Sequence, residues 1–319
     1  MQLPFSIKLT IEELVKDYEI ANLRKIYERL SSIYLDEKIN SDRVVMCRSE
    51  ALTYAITRLP ATFQASSKAL EKTLLHYPNQ ISSVLEIGAG LCLNSVAFKH
   101  LLIDLKQITM IEREKAMIEI GQEINKDSDV NIINDDFVNH EYQNHYDLVF
   151  ASYALNELSE EDLKKTLDKI WDITDGVLLI VEPGTPHSFS MIQKIKHHII
   201  NKGGNIIAPC QNNNICSLSD GDWCHFLTRV SRSRLQKLIK QGEVPYEDEK
   251  FCFVAFSKKP YEITKHTTLI NNPHISGNQL TFLGCKNNAI ELIKVSKNNK
   301  DLFKKIKKMQ SLDEVNDNE

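Results

Sequence analysis

The sequence contains no apolar run long enough to cross a lipid bilayer. A spanning helix needs about 20 consecutive apolar residues, and the 42% of hydrophobic residues in this 319-residue chain are interrupted by charged ones throughout. Residues 1–10 lack the basic segment followed by an apolar one that begins a secretory leader, and no Arg/Ser-rich leader indicates an organelle. We therefore expect a cytoplasmic protein without a membrane partner.

The sequence also lacks a full disulfide framework and an overall positive charge. Its seven cysteines are an odd number in a chain without a secretion signal, and a net charge of −4 argues against a surface that coats nucleic acid everywhere. The basic residues are uneven: eight Lys or Arg against two Asp in 187–240, and eight lysines against two acidic residues in 286–308. This indicates an RNA-facing C-terminal half, although a merely solvated lysine-rich helix explains the second run equally well.

The chain is organised around residues 84–90, Val-Leu-Glu-Ile-Gly-Ala-Gly. This pattern predicts a buried strand, a tight turn and a helix over 91–102, whose unpaired N-terminal N–H groups face whatever lies above the turn. A dinucleotide-binding turn needs a third glycine, but Leu93 stands at that position. The motif therefore favours another nucleotide-like ligand, with a plain α/β turn as the structural alternative.

An acidic residue before the two glycines and another at the end of the next strand resemble the S-adenosylmethionine (SAM) site of Rossmann-like methyltransferases. Glu86, Gly88 and Gly90 form the first part of this pattern. Glu112 closes the predicted strand 108–112, where its carboxylate can accept two hydrogen bonds from a ribose diol. We predict that these four residues bind SAM.

Short β-rich runs alternate with helical ones from Ile81 onward, which predicts parallel βαβ units. Ligands of such sheets lie beyond the carboxyl ends of the strands. Asp135 and Asp136 follow the third predicted strand, so we expect them either to contact an adenine amino group or to cap a helix. The predicted strands are 83–87, 108–112, 130–133, 147–151 and 177–182.

The acceptor of a methyl group is expected beyond the fourth and fifth strands. The candidate substrate-facing residues are Ser152, Asn156 and Glu157 after the fourth, and Pro183 and Gly184 after the fifth. The proline-rich loop at the fifth either faces substrate or is a structural turn. The sequence has no Asn/Asp-Pro-Pro-Tyr tetrapeptide, no cysteine here and no evident general base. Methyl transfer from a sulfonium can run largely on positioning, so an enzyme is not excluded.

Three cysteines, Cys210, Cys216 and Cys224, lie close together in an Asn-rich stretch with few apolar side chains. Such a loop needs an internal crosslink, and a metal centre supplies one in a reducing compartment. Their separations of five and seven residues fit structural zinc poorly and fit an iron–sulfur cluster better. We expect Trp223 to shield this centre from water.

The fourth ligand of such a centre is sought among His225, Cys252 and Cys285. Cys252 lies in an apolar strand, where a buried inert thiol is the expected role. Cys285 is preferred because the adjacent Gly284 lets backbone approach closely.

The N-terminal region is predicted to be helical and to cover the nucleotide strand. Residues 10–36 read as one amphipathic helix capped by Thr10, and 49–76 as a second helical pattern interrupted at Pro60. Arg48 and Arg58 are predicted to be surface or salt-bridged residues rather than ligands.

Taken together, these motifs make the chain, from about residue 50 to 310, similar to the Rsm22 family of methyltransferase-like proteins of the small ribosomal subunit. The segment 222–226, Asp-Trp-Cys-His-Phe, followed by Arg229, Val230 and Arg232, is the most specific part of the resemblance. The other motifs that carry it are Arg58-Leu-Pro-Ala-Thr-Phe63, Val84-Leu-Glu-Ile-Gly-Ala-Gly90, Glu182-Pro-Gly-Thr-Pro186 and Ala208-Pro-Cys210.

The resemblance implies association with the small ribosomal subunit or its rRNA. It also implies a 4Fe-4S cluster on Cys210, Cys216, Cys224 and Cys285. The chain departs from the family's pattern at 260–263 and near 311–313, which leaves the RNA contacts open.

The expected fold class is α/β: a Rossmann-like SAM-dependent methyltransferase fold with additions at both ends. An N-terminal helical region is predicted over 1–78, and the methyltransferase domain over 79–260 with a cysteine-rich insertion at 208–240. A C-terminal extension over 261–319 contains β-strands, the fourth cysteine and a basic helix.

Three functions are compatible with these features. The first is a SAM-dependent methyltransferase that acts on small-subunit rRNA. The second is a non-catalytic assembly factor that binds the same rRNA, and the third is a small-molecule methyltransferase with structural zinc in place of the iron–sulfur cluster. We expect a monomer when the protein is off the ribosome.

Overall fold

The structure, a computed structural model, describes residues 1–35, 45, 47–126, 129–214, 216, 218, 222–262 and 265–316. No helix among these residues is long and apolar enough to cross a membrane. The chain begins with four helices, α1 Phe5–Leu14, α2 Ile20–Leu35, α3 Arg48–Thr57 and α4 Leu59–His76.

The prediction of a single helix over 10–36 is wrong, because a turn at 15–19 separates α1 from α2. Thr10 lies inside α1, where its hydroxyl donates to the Ser6 carbonyl at 3.1 Å, and caps nothing. The reason is that the apolar stripe starts earlier than predicted, with Ile7 and Ile11 buried on one face. The predicted end at Asp36 lies outside the described residues.

The predicted interruption at Pro60 is confirmed. Helix α3 ends before Arg58, and Pro60 lies in the first turn of α4, where its missing N–H removes no helical hydrogen bond. Helix α4 packs against β-strands of the main sheet, so the N-terminal helical region lies against the sheet; its covering of a nucleotide-binding strand stays a prediction.

The main sheet has eight strands in the order β3-β2-β1-β4-β5-β8-β6, with β7 also paired to β8. The first five strands run parallel, and β8 is antiparallel to β5, β6 and β7. Its strands are β1 Ser83–Ile87, β2 Gln107–Glu112, β3 Asn131–Asn134, β4 Tyr146–Ser152, β5 Thr174–Pro183, β6 Asn205–Ala208, β7 Phe226–Ser231 and β8 Tyr246–Ser257.

Helices cover both faces of this sheet. Buried apolar side chains pack on each face, and the rings of Phe98 and Phe150 meet in a T-shaped arrangement with centroids 5.3 Å apart. The helices are α5 Asn94–Leu101, α6 Lys115–Ile124, α7 Glu160–Asp172, α8 Pro186–Asn201 and α9 Arg234–Lys240, with a 3₁₀ turn at Leu155–Glu157. The predicted α/β, Rossmann-like fold class is confirmed, and all five predicted strands are present, with ends within three residues of the prediction.

A second, five-stranded sheet follows the first. It contains β9 His266–Leu269, β10 His274–Ser276, β11 Gln279–Lys286, β12 Ala289–Ser296 and β13 Glu314–Asn316, and α10 Lys300–Ile306 lies between the last two strands. Its apolar core includes Leu280, Phe282 and Phe303. Strand β11 carries Cys285, which pairs with Thr268 of β9.

Candidate functional site

A cavity of about 550 Å³ opens at the carboxyl ends of β1 and β4. This is where the strand order reverses, from β3-β2-β1 on one side to β4-β5 on the other, and such a switch point is the usual ligand crevice of an open α/β sheet. Helices α2, α3 and α4 close the opposite wall through side chains that include Tyr27, Tyr54 and Thr62. Glu86, Gly88, Gly90, Glu112, Asp136, Ser152, Asn156, Glu157, Pro183 and Gly184 all line the cavity.

The glycine turn requires both its glycines for conformational reasons. Gly88 and Gly90 have φ values of +61° and +54°, which residues other than glycine rarely adopt. A Cβ at Gly88 would also lie 2.6 Å from the Cβ of Ala154, whereas at Gly90 the nearest atom is Met117 Cε at 3.4 Å. At Gly88, therefore, the turn packs directly against Ala154, the residue before the 3₁₀ turn, and leaves no space for a side chain.

Glu112 holds the turn from below. Its Oε2 accepts from the Gly90 N–H and its Oε1 from the Glu114 N–H, both at 2.7 Å. Burial raises the pKa of Glu112, and these two backbone hydrogen bonds act against that rise. Each carboxylate oxygen keeps a lone pair that can accept from a ribose hydroxyl.

Glu86 is the most deeply buried acid of the cavity, with 1% of its surface exposed. Its Oε1 accepts from Asn94 Nδ2 at 2.6 Å, while its Oε2 has no hydrogen-bond partner within the described residues. Burial raises the pKa of Glu86 to about 8. A buried acceptor without a partner is costly, so the cavity suits a ligand that brings a cationic or hydrogen-bond-donating group to this oxygen.

The two aspartates after β3 have different surroundings. Asp135 is half exposed, and its Oδ2 lies 2.7 Å from His140 Nδ1. Asp136 lines the cavity, and its Oδ1 accepts from the Val138 N–H at 3.0 Å. Asp136 thus combines the capping of a local turn with a position beside the ligand space, whereas Asp135 faces His140.

The residues at and after the end of β4 differ in what they contact. Ser152 Oγ lies 2.5 Å from Ser66 Oγ of α4, so it joins the sheet to the helical wall. Glu157 lies 3.9 Å from Arg113, and burial raises its pKa to about 7. Its neighbours place it on the Glu112 side of the cavity. The Oδ1 of Asn156 is buried without a hydrogen-bond partner among the described residues.

The loop after β5 is held from two sides. The Gly184 N–H donates to the Lys250 carbonyl at 2.9 Å, and the Gly184 carbonyl accepts from Trp223 Nε1 at 3.0 Å. Trp223 also stacks on His225, with ring centroids 5.4 Å apart. The indole N–H of Trp223 therefore finds its acceptor in the Pro183–Gly184 loop, and the shielding of a metal centre by Trp223 stays a prediction.

One polar network on the cavity wall was not predicted from the sequence. Tyr153 donates its hydroxyl to Glu249 Oε1 at 3.0 Å, and Arg58 Nη2 lies 3.4 Å from the same oxygen. Arg58 is salt-bridged as predicted, but it also lines the cavity. Tyr153 has φ +55°, a strained value that often marks a functional site. The motif that begins at Arg58 was the sequence signal from which this network could have been found. The partner of Arg58, Glu249, is 191 residues away, so no local pattern connects the two.

The four predicted metal ligands come together in a second, smaller cavity. Cys210, Cys216, Cys224 and Cys285 line it, together with Cys252. Burial, and then the neighbouring thiols, raises the pKa of Cys285 to about 12 and that of Cys224 well above its usual value. In the part of the chain that the structure describes, no three of these sulfurs lie within 4.8 Å of one another.

Two neighbours of the thiols bear on their chemistry. The ammonium of Lys196, only 4% exposed, donates to Cys210 Sγ at 3.6 Å. Cys252 donates to the Pro183 carbonyl at 3.3 Å, as a structural buried thiol would. A Cβ at Gly284 would lie 2.5 Å from Ile293 Cδ1 and 2.7 Å from Thr267 Cγ2. Both are side-chain atoms, so the close approach of backbone at Gly284 stays a prediction.

The two basic runs behave differently in three dimensions. In 187–240 most charges are neutralised locally, as when Arg232 and Lys240 both meet Glu247 and Arg229 meets Asp248. In 286–308 every lysine is exposed. Only the second run therefore provides an extended basic surface.

Comparison with known families and structures gives the following matches. The family model described as "Mitochondrial small ribosomal subunit Rsm22" matches residues 48–315. No curated protein matches the chain.

Several solved structures match the chain at low sequence identity. PH1948 from Pyrococcus horikoshii, described as a candidate RNA methyltransferase, has 16% identity and a TM-score of 0.43 over 75% of this chain and 99% of its own. The plantazolicin methyltransferase BpumL has 15% identity and a TM-score of 0.44 over 76% and 98%. The N-methyltransferase NodS from Bradyrhizobium japonicum, solved with S-adenosyl-L-homocysteine, has 11% identity and a TM-score of 0.43 over 73% and 99%.

Proposed function

The chain belongs to the Rsm22 family, and we propose that it is a SAM-dependent methyltransferase that acts on small-subunit rRNA. SAM supplies the methyl group when it is bound in the 550 Å³ cavity. The protein's part is to hold SAM and the acceptor atom in line, since direct displacement at a sulfonium depends chiefly on positioning.

The single observation that carries this proposal is the buried Oε2 of Glu86, which has no hydrogen-bond partner within the described residues. SAM carries two cationic groups, an ammonium and a sulfonium, and one carboxylate. An acidic cavity that ends in a buried carboxyl oxygen fits such a ligand. In this proposal Glu112, whose Oε2 also accepts from the Gly90 N–H, accepts hydrogen bonds from the ribose of SAM. Gly88 and Gly90 have no Cβ that would keep the ligand from the backbone of the turn.

The second part of the proposal is a 4Fe-4S cluster on Cys210, Cys216, Cys224 and Cys285. Four thiolates around one zinc ion, at about 2.3 Å each, would place their sulfurs about 3.8 Å apart. Among the described residues no three of these sulfurs all lie within 4.8 Å of one another, which favours a cluster, whose irons separate the ligands, over a single zinc ion. The buried ammonium of Lys196 fits the negative charge of an iron–sulfur centre with four thiolates. Zinc is the alternative metal.

A non-catalytic assembly factor is the second candidate function, and the charge of the cavity favours it. Seven acidic residues line the cavity against four basic ones, and of the basic ones Arg58, Arg113 and Lys240 are already ion-paired. An RNA strand entering the cavity would meet net negative charge. In this alternative the basic C-terminal surface binds rRNA and the cavity does no chemistry.

The test is a map of small-subunit rRNA methylation in cells with the gene, without it, and with a Glu86→Gln variant in its place. We expect one methylated nucleotide to disappear on deletion and to be methylated less with Glu86→Gln than with the wild type. An unchanged methylation map, combined with defective small-subunit assembly on deletion, would establish the assembly factor instead. The cytoplasmic setting stays a prediction, since the family description names the mitochondrial ribosome; cell fractionation decides it.

A further inference from the structure

One cluster of metal-ligating side chains lies outside both sites. His76 ends α4, while His266 and Glu314 begin β9 and β13. These segments are distant in sequence. Nevertheless, the ligand atoms of His76, His266 and Glu314 all lie within 4.8 Å of one another, and no other metal-ligating trio among the described residues does so. The side chains are 13%, 3% and 18% exposed, respectively. Three such groups brought together in a mostly buried place resemble a binding site more than a surface ion pair.

We propose that His76, His266 and Glu314 bind a divalent transition metal of the zinc type. The ligand atoms are Nε2 of each imidazole and Oε1 of the carboxylate. Two imidazoles and one carboxylate are a ligand set that zinc accepts, with a fourth position open to water.

The distances agree with this assignment. Glu314 Oε1 lies 3.0 Å from His76 Nε2 and 3.7 Å from His266 Nε2. Nitrogen and oxygen ligands at about 2.0–2.2 Å in a tetrahedron lie about 3.4 Å apart, between these two values. The imidazole planes are 13° from parallel with centroids 5.3 Å apart, so a ring rotation is needed to aim both lone pairs at one ion.

The charges around the carboxylate are also suitable. The Glu314 carboxylate faces three nitrogen-bearing side chains, those of His76, His266 and Lys72. Lys72 Nζ lies 4.0 Å from the same oxygen and is the cation that a metal must displace or accommodate.

A metal at this point would connect three parts of the fold. It would fasten β9 and β13 of the second sheet to α4 of the N-terminal helices. Strand β9 also supports the thiol cavity, because Thr268 pairs with Cys285 and the Gln211 side chain donates to the His266 carbonyl. The metal would therefore stabilise the strand against which Cys285 is placed.

The experiment uses the full chain, purified with its thiol centre occupied and treated with a mild chelator. Co²⁺ and Zn²⁺ are titrated by calorimetry, and bound metal is counted by mass spectrometry. Thiolate ligation of Co²⁺ gives intense near-ultraviolet charge transfer, whereas imidazole and carboxylate ligation does not, so the two kinds of site are distinguished. We expect one additional ion per chain without the thiolate band. Free Zn²⁺ at a hundred times its Kd should raise Tm by about 4 °C.

The variants are His76→Gln and Glu314→Gln, with His145→Gln as the matched control. His145 also contacts a carboxylate, that of Asp175, at 3.0 Å, but both side chains are exposed. We expect the additional ion and its Tm shift to be lost in the first two variants and kept in the control. The proposal is overturned if every ion that the wild-type chain binds shows the thiolate band, because no ion is then held by imidazole and carboxylate. This result does not depend on the folding of any variant. It is equally overturned if His76→Gln binds the ion as the wild type does, which would leave the cluster a hydrogen-bonded contact.

Discussion

Glu86 and Glu112 show how two acids of similar sequence context differ in their hydrogen bonding. Both oxygens of Glu112 accept backbone N–H groups, so this carboxylate helps to form the turn even without a ligand. Glu86 has one oxygen bonded to Asn94 and one without a partner in the described structure. The first residue therefore shapes the cavity, and the second leaves an interaction for a ligand to complete.

Glu86→Gln should weaken SAM binding and remove part of its pH dependence. The pKa of Glu86 is raised to about 8 by burial, so its carboxylate form grows as the pH rises from 6 to 8. A cationic ligand prefers that form, and wild-type affinity should increase over this range. Glutamine cannot ionise; we expect at least a tenfold loss at pH 8, about 1.4 kcal/mol. Calorimetry at several pH values measures it.

The same substitution gives an independent stability readout without SAM. Because the folded-state pKa lies above the ordinary value of 4.5, folding takes up a proton, and the free energy of unfolding falls as the pH rises from 4.5 to about 8. Glu86→Gln should flatten this fall in chemical denaturation. A variant with wild-type affinity and a wild-type stability profile would show that Glu86 is not the group that meets SAM.

Gly88→Ala should abolish SAM binding, and Gly277→Ala should not. The two glycines have similar φ values, +61° and +57°, so alanine strains both backbones alike. At Gly88 the new Cβ lies 2.6 Å from Ala154, whereas at Gly277 it meets nothing within 4 Å. Calorimetric SAM affinity and Tm of both variants separate the clash from the strain. Equal SAM affinity in the two variants would show that the close packing at Gly88 is not needed for SAM binding.

At the scale of elements, the thiol cavity depends on pairing between distant segments. Cys210 follows β6, Cys224 precedes β7, and Cys285 lies on β11 of the other sheet. The position of β11 is set by its ladder with β12 and its pairing to β9. The insertion and the second sheet are therefore linked through the residues that line one small cavity.

Cys285→Ser should remove the metal centre while leaving both sheets folded. A 4Fe-4S cluster needs four thiolates and absorbs broadly near about 400 nm, whereas zinc is silent there. Anaerobically purified wild-type protein should be brown with about four irons per chain. The variant should lose most iron, and Cys47→Ser, at an exposed cysteine that caps α3, should keep it. A colourless wild-type protein containing zinc would identify the metal as the alternative one.

At the scale of the whole molecule, negative and positive charge are separated. The cavity wall is acidic, while the lysines of 286–308 are exposed on the second sheet and around α10. One region is suited to a cationic cofactor and the other to a polyanion. The domain division at 78/79 and 260/261, like the monomeric state, stays a prediction.

Replacing Lys300, Lys304 and Lys307 by glutamine should weaken binding to small-subunit rRNA. Three lost phosphate contacts should lower the slope of log K against log salt concentration by about two to three. Lys99, Lys106 and Lys126 are equally exposed on the main-sheet domain and serve as the control triple. Filter binding over a salt series measures both. If the two triples behave alike, the basic surface around α10 is merely solvated.

The sequence by itself determined the positions of strands β1 to β5 along the chain and the glycine turn, because each is specified by residues that are neighbours in the chain. Local apolar runs located β1 to β5, and the two glycines located the turn between β1 and α5. The start of α1 was missed, since a stripe of helical spacing does not state where its first turn begins.

Only the tertiary structure decided which distant side chains meet. The Arg58–Glu249 ion pair, the contact of Trp223 with Gly184 and the cluster of His76, His266 and Glu314 each join segments at least 39 residues apart. Such contacts depend on sheet register and on which helix faces cover which strands, and a local pattern encodes neither. Cys285 could be favoured from the sequence as a fourth ligand, but its place beside the other three thiols follows from the pairing of β9 with β11.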